Sequence, residues 1–110
     1  MGSTNGVTRL WRLSGRSRVE NGANVLVLSG RLGHTSVGEL RAAADAAMAA
    51  GDRDLVIDLA GVDYLSSAAI KVFEALAMEQ GSRGRGLTLR SPSPAARLSI
   101  ELAGLSAIAV

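Results

Sequence analysis

Two adjacent serines, Ser66 and Ser67, stand where a strand-like run passes into a helical pattern. The run "DLVIDL" precedes them, and "AAIKVFEAL" after them has the three- and four-residue spacing of one apolar helix face. A serine at a helix start can accept a hydrogen bond from a backbone N–H, which stabilises the helix by about 1 kcal/mol. It also lies at the positive end of the helix dipole, which favours a phosphoryl group. The pair therefore predicts a helix cap, a phosphorylation site, or both.

His34, the only histidine, would be the general base of a catalytic dyad with Ser67. It follows a predicted strand, so a dyad of Ser67 and His34 would have to assemble where strand carboxyl ends meet. No G-x-S-x-G segment surrounds either serine, and a lone loop histidine is more often solvated than catalytic. One histidine, no cysteine and scattered carboxylates provide no metal-ligand cluster. We expect no catalytic residue, metal or cofactor, and we keep a small serine hydrolase only as an alternative.

Length and composition indicate a single domain with an aliphatic core. The chain has 110 residues, 47% of them hydrophobic, and only Trp11, Tyr64 and Phe73 are aromatic. No apolar run reaches the roughly 20 residues that a membrane-spanning helix needs, and the N-terminus lacks the apolar stretch of a signal peptide. We expect a cytoplasmic protein without membrane insertion.

The net charge of +2 is weak support for nucleic acid binding. Basic residues cluster only near the N-terminus and in "GSRGRG" at 81–86, and stretches of this size are usually solvated. No group of aromatic side chains accompanies them to stack on bases. We therefore expect no direct contact with nucleic acid.

Turn and strand signals predict how the domain begins. Residues 1–16 are rich in Gly, Ser, Thr and Arg and are predicted to form a flexible arm, so that the domain spans 17–110. The segment "SRVENGANVLVLSGRL" is typical of two strands joined at Asn21 and Gly22, which tolerate positive φ.

A first helix is predicted after these strands. Thr35 or Ser36 serves as its N-cap, and Glu39 lies three residues after Ser36, the spacing of a capping box. Gly51 is the expected terminator. A buried strand at 54–59 follows.

The second helix is predicted to begin at Ser66 or Ser67, after a loop at 60–64. It runs to about Gln80, where Gly81 stops it. The serines then lie at the carboxyl end of a strand, where ligands and chemistry gather in sheets with crossover connections.

A strand at 86–90 and a third helix complete the pattern. Pro94 suits the first turn of that helix, which is predicted to bury a stripe of Ala95, Leu98 and Leu102. The closing "SAIAV" is predicted to be a short strand or extended tail. Alternation of strands and helices indicates an α/β single domain, with helices packed on a mixed sheet of four to five strands.

The quoted segments resemble a STAS domain, the fold of bacterial anti-sigma factor antagonists, from about Arg18 to the C-terminus. After the third strand that family reads approximately D-L-x-x-V-x-x-(hydrophobic)-D-S-S/T-G-L. Asp58, Leu59 and Val62 fit the first part, and Ile70 takes the place of the final Leu. Ser67 stands at the serine that an anti-sigma kinase phosphorylates.

The resemblance implies a protein that binds an anti-sigma factor with serine kinase activity, and that loses this binding when it is phosphorylated. The expected phosphorylation site is Ser67, with Ser66 as second choice. The sequence leaves open whether the chain also forms a homodimer. The surface expected to contact the partner comprises Asp63, Ser66, Ser67, Lys71, Glu74, His34 and Thr35.

Three positions depart from the family pattern. Ser66 and Gly33 stand where the family usually has acidic residues, and Ala69 replaces the family's glycine. Missing carboxylates suit an alternative role, a STAS scaffold or accessory subunit that is never phosphorylated. Such a subunit would belong to a stressosome-type assembly or to a lipid-transport ATPase complex.

Overall fold

The computed structural model describes residues 13–110, and every structural statement below refers to them. Their helices and strands are, in chain order, β1 (Ser14–Glu20), β2 (Ala23–Leu32), α1 (Val37–Ala49), β3 (Leu55–Leu65), α2 (Ser67–Ser82), β4 (Leu87–Arg90) and α3 (Pro94–Leu102). Two 3-10 turns, His34–Ser36 and Ser106–Ile108, precede α1 and follow α3.

The strands form one mixed sheet in the order β1-β2-β3-β4. β1 and β2 are antiparallel, and the turn between them uses Asn21 and Gly22 at φ values of 51° and 77°. β2 is parallel to β3 and β3 to β4, so α1 and α2 are the crossover connections. The carboxyl ends of β2 and β3 therefore meet at one edge of the sheet, where α2 begins. The predicted mixed sheet with packed helices is confirmed.

The helices bury an aliphatic core against one face of the sheet. Phe73 and Leu76 of α2 and Leu40 of α1 are fully buried. They belong to one cluster with the alternating apolar residues of the two central strands, Leu26, Leu28, Leu32, Leu55, Ile57 and Leu59. Full burial of such a side chain contributes about 1.5–3 kcal/mol to stability. This packing fixes α2 on the sheet and with it the position of the two serines.

An ion pair joins the outer surfaces of α1 and α2. The Arg41 guanidinium donates to both carboxylate oxygens of Glu79, at 2.9 and 2.6 Å, and to Asp45 at 3.0 Å. The hydrogen bonds from Arg41 lower the pKa of Glu79. This fork-to-fork geometry adds a directional contact to the apolar packing of the two helices.

The opposite face of the sheet carries charged side chains. Asp58 lies on this face because its neighbours Ile57 and Leu59 point into the core. Arg90 of β4 donates to Asp58 at 2.9 Å and to Glu20 of β1 at 3.1 Å. Burial works against ionisation of Asp58, but hydrogen bonds from the Ala60 N–H and from Arg90 bring its pKa below the usual value. The two edge strands are thus tied together across this face.

The predicted boundary of the N-terminal arm at residue 16 is wrong. Ser14–Arg16 belong to β1 and pair with Ser29, Leu28 and Val27 of β2. Glycine and serine composition suggested an arm, but the exposed backbone finds hydrogen bonds on the edge of β2. The remainder of the predicted arm, 1–12, lies outside the described residues.

The predicted loop at 60–64 is also wrong, because β3 continues to Leu65. β2 runs on to Leu32 and supplies backbone partners along this stretch, among them Ser29 for Gly61 and Arg31 for Tyr64. Register shifts in the β2–β3 pair break the strict alternation of buried and exposed residues. The strand therefore lacks the simple period that sequence patterns detect.

Helix ends differ from the predictions in two places. Ser36 is the N-cap of α1, as predicted, but its side chain makes no cap hydrogen bond. Its Oγ instead donates to the Arg31 carbonyl at 3.0 Å, so the predicted capping box does not form. α2 passes through Gly81 and ends at Ser82, whose hydroxyl donates to the Glu79 carbonyl at 2.8 Å.

The predicted buried stripe of α3 is wrong as well. Ala95 is exposed, and the exposed fractions of Leu98 and Leu102 are 57% and 80%. Ala96 and Ile100 are buried instead. α3 carries apolar residues on two faces, and the face with Ala96 and Ile100 packs on the core.

The closing segment is mostly a 3-10 turn. Only Ala109 bridges to β4, at Leu89, and the Val110 N–H donates to the Leu89 carbonyl at 2.9 Å. Among residues 13–110, no helix has the length and apolar character required to cross a membrane.

Candidate functional site

Ser66 is the N-cap of α2. Its backbone is extended, at φ −84° and ψ 164°, and its Oγ accepts a hydrogen bond from the Ala69 N–H at 3.2 Å. Only 4% of Ser66 is exposed. The predicted cap is therefore present, and its hydroxyl is already engaged and shielded from solvent.

Ser67 is the first residue of α2 and is exposed. Its hydroxyl makes no hydrogen bond with the described part of the chain. The two serines therefore differ in role. Ser66 holds the helix start, and Ser67 presents a free hydroxyl at the positive end of the helix dipole.

Strand pairing places the serines at the edge of the sheet. The Leu65 side chain is buried in the core, and the Ser66 N–H donates to the Leu32 carbonyl at 2.9 Å, beyond the last residue of β3. The buried Ala69 then lets the first turn of α2 approach the sheet closely. Ser67 is thus the first residue to leave the strand pairing and face solvent.

The segment after β2 lies beside this helix start. Leu32, whose carbonyl accepts from Ser66, is followed by Gly33 and by the 3-10 turn that holds His34 and Thr35. Both His34 and Thr35 are exposed, as a partner-binding role requires. No hydrogen bond joins His34 to Ser67 among the described residues, so the structure offers no support for the dyad of the hydrolase alternative.

Asp63, Lys71 and Glu74 are exposed too. Asp63 lies on β3 shortly before the serines, and Lys71 and Glu74 lie on α2 one and two turns after Ser67. Lys71 makes no ion pair with the described residues. Participation of these three residues in partner binding stays a prediction.

Arg31 and Tyr64 form a contact at the same end of the sheet. This contact was not predicted from the sequence. The Arg31 guanidinium carbon lies 4.7 Å from the centroid of the Tyr64 ring, a cation–π geometry. The two residues are paired across β2 and β3, and both are exposed. Only the β2–β3 register brings them together, so no local sequence signal reveals the contact.

An apolar groove lies between the N-terminal turn of α2 and the C-terminal part of α3. We call it the α2–α3 groove. Its volume is about 300 Å³, and it is lined by Leu65, Ser67, Ile70, Ser99, Leu102 and Ala103. The Ser99 Oγ lies 3.4 Å from the Leu65 and the Ala95 carbonyl oxygens and donates to one of them at a time. The groove was not predicted from the sequence, because Leu102 was expected on the buried side of α3.

A larger hollow of about 460 Å³ lies on the charged face of the sheet, next to Arg16, Ser29 and Asp58. The Asp58 carboxylate already accepts hydrogen bonds from the Arg90 guanidinium and the Ala60 N–H. Within residues 13–110 no three His, Cys, Asp or Glu side chains are grouped as metal ligands. The candidate functional site is therefore the hydroxyl of Ser67 with the residues around it.

Comparison with known families bears on this site. A family model described as "Mlab, STAS domain" matches residues 16–110. The chain belongs to the STAS-domain family. The resemblance inferred from the sequence is thereby confirmed. Among curated proteins, none matches this STAS domain significantly.

Solved structures share the fold. An anti-sigma factor antagonist from Mycobacterium paratuberculosis is 28% identical in sequence, with a TM-score of 0.77. The match covers 86% of this chain and 80% of the antagonist. The anti-sigma factor antagonist SpoIIAA in its unphosphorylated form is 20% identical, covers 88% and 86% of the two chains, and has a TM-score of 0.76. Bacillus SpoIIAA in the phosphorylated form is 20% identical, covers 88% and 89%, and has a TM-score of 0.69.

Proposed function

We propose that this STAS-domain protein is an anti-sigma factor antagonist, which binds an anti-sigma factor with serine kinase activity and is switched off by phosphorylation of Ser67. In the unmodified form it would occupy the anti-sigma factor and so free a sigma factor for transcription. The kinase would supply ATP and magnesium, which leaves this chain without a cofactor or a catalytic residue. Such a role belongs in the bacterial cytoplasm.

The exposed, unbonded hydroxyl of Ser67 is the observation that carries the proposal. A kinase needs a hydroxyl that can enter its catalytic cleft, and Ser66 is shielded and occupied as the cap. The names of two similar structures support the proposal, since both are anti-sigma factor antagonists, and one of these two proteins, SpoIIAA, was also solved in a phosphorylated form.

Phosphorylation at Ser67 would change charge without unfolding the helix. The phosphate adds about −1.5 to −2 charges at neutral pH and suits the positive end of the α2 dipole. The cap hydrogen bond from Ala69 to Ser66 does not involve the modified hydroxyl. The switch would therefore act on the docking surface, through repulsion and the cost of desolvating the phosphate.

A phosphotransfer experiment tests the proposal. The chain is incubated with ATP and candidate serine kinases, and intact mass reports the transfer. We expect one phosphate on the unmodified chain and none on Ser67→Ala. Ser66→Ala is the matched control, since it removes the neighbouring hydroxyl and should still accept the phosphate. Phosphate transfer to Ser67→Ala would contradict the proposal, and so would the absence of transfer to the unmodified chain.

A second candidate function is a STAS scaffold or accessory subunit that is never phosphorylated. Gly33 and Ser66 provide no carboxylate at the two positions where the resemblance expects one, and such groups would help to orient or deprotonate the target hydroxyl. A stressosome-type assembly or a lipid-transport ATPase complex would then be the partner.

Ser66→Asp separates the two candidates. Aspartate is as good an N-cap as serine, and it restores one of the expected carboxylates beside Ser67. For the antagonist we expect faster phosphate transfer to Ser67 in this variant than in the unmodified chain, measured by intact mass over time. Tight binding of a kinase or ATPase with no transfer to either form would favour the accessory subunit.

A further inference from the structure

The α2–α3 groove gives the proposed docking surface a specific shape. We propose that it receives one apolar side chain of the partner that binds at Ser67, with Leu102 as the main contact from this chain. This inference rests on the proposed function, because it assigns the same partner to the groove and to the serine.

Continuity between the serine and the groove identifies the occupant. Ser67 itself lines the groove, together with Leu65 and Ile70. A protein that brings its catalytic cleft to the Ser67 hydroxyl must therefore cover the groove opening as well. The occupant is then part of that kinase, not a separate ligand.

The walls of the groove have the character of an anchor pocket. Leu65 and Ile70 are buried, with exposed fractions of 5% and 6%, whereas Leu102 is 80% exposed. Anchor side chains at protein interfaces fill such pockets and carry most of the binding energy. A volume of about 300 Å³ lies at the lower limit for small-molecule pockets, so it suits a single aliphatic or aromatic side chain.

Two exposed charged residues adjoin lining residues of the groove in sequence. Lys71 follows the lining residue Ile70, and Glu101 precedes the lining residue Leu102. Both are exposed and make no ion pair with the described residues. Exposed charges of both signs near an apolar contact are typical of protein interfaces, whereas an anionic membrane surface selects a cluster of basic residues. We expect the partner's apolar residue to be flanked by an acidic group near Lys71 and a basic group near Glu101.

Leu102→Ser tests the groove, with Leu98→Ser as the matched control. Leu98 is also exposed on α3, at 57%, but does not line the groove. The probe is the purified kinase that phosphorylates Ser67, and calorimetry measures its affinity for each variant. Loss of an interface anchor weakens binding by about tenfold or more, which we expect for Leu102→Ser. The affinity of Leu98→Ser should stay within about threefold of the unmodified chain.

The outcomes separate the groove from the switch. If the kinase binds and phosphorylates the unmodified chain but both leucine variants bind equally well, the groove proposal is overturned and the switch remains. If no kinase binds the unmodified chain, the proposed function fails and the groove proposal fails with it. Sedimentation of the unmodified chain as a dimer that Leu102→Ser dissociates, with kinase affinity unchanged, would assign the groove to a second copy and also overturn it.

Discussion

At the scale of single residues, neighbouring serines in the same dipeptide have different chemical availability. Ser66 has extended backbone geometry and turns its hydroxyl back to the Ala69 N–H, whereas Ser67 starts the helix and faces solvent. The residue types alone predicted a cap and a modification site at this dipeptide without assigning each role to one serine. Only the family resemblance favoured Ser67 for modification. That division depends on the backbone path from β3 into α2, which no residue type specifies alone.

Replacing Ser66 with alanine should destabilise the protein, while the same change at Ser67 should not. Loss of an N-cap side chain costs about 0.5–2 kcal/mol, because a helix N–H loses its partner. Urea denaturation should therefore show a lower midpoint for Ser66→Ala. Ser67→Ala serves as the control, and an equal loss of stability in both variants would contradict the assigned roles.

At the scale of helices and strands, the order and type of the regular elements could be predicted, but several boundaries could not. Hydrophobic periodicity and turn residues identified the paired strands at Asn21 and Gly22 and the three helices. β3 was predicted too short because its register shifts hide the alternation, and the wrong face of α3 was predicted to be buried. Both errors arise where the neighbouring element decides which residues are covered. The α2–α3 groove and the contact of Arg31 with Tyr64 were missed for the same reason.

The close approach of β2 and β3 leaves no room for a side chain at Gly61. A Cβ added at Gly61 would lie 2.9 Å from the Ser29 Cβ and 3.2 Å from the Leu28 carbonyl oxygen. Crowding of this kind costs about 1–3 kcal/mol, so Gly61→Ala should be destabilised in urea denaturation.

Gly38→Ala provides the matched control. Nothing lies within 4 Å of a Cβ at Gly38, which is exposed in α1. Alanine there should stabilise the protein by up to about 1 kcal/mol through its higher helix propensity. A destabilised Gly38→Ala, or a neutral Gly61→Ala, would contradict the described packing.

At the scale of the whole molecule, charged side chains tie together elements that are distant in sequence. Arg90 links β4 to Asp58 on β3 and to Glu20 on β1 across the face opposite the helices. Hydrogen bonds from Arg90 and Arg18 lower the pKa of Glu20, and the pKa of Asp58 is lowered as well. A carboxylate with a lowered pKa in the folded state stabilises the protein above its ordinary pKa and loses this effect as pH falls.

Arg90→Gln should therefore change how stability depends on pH. In the unmodified chain, the stabilisation by the ion pairs of Arg90 should be present in full above the ordinary pKa values of 4.5 for Glu20 and 3.8 for Asp58. It should disappear as pH falls below these values and the carboxylates become protonated. We expect the difference in urea midpoint between the unmodified chain and Arg90→Gln to shrink over that range.

Arg97→Gln is the control for this measurement. It removes the same charge from α3, where Arg97 makes no ion pair with the described residues. Its difference from the unmodified chain should stay constant with pH. A constant difference for Arg90→Gln as well would contradict a role for the ion pairs in stability.

The most direct measurement compares the affinity of one anti-sigma kinase for two forms of the chain, unmodified and carrying phosphoserine at position 67. Installing the phosphoserine during synthesis makes the comparison independent of the transfer rate. Added negative charge and its desolvation at a docking surface predict a loss of affinity of about tenfold or more for the phosphorylated form. Equal affinity of the kinase for both forms would contradict the proposed switch.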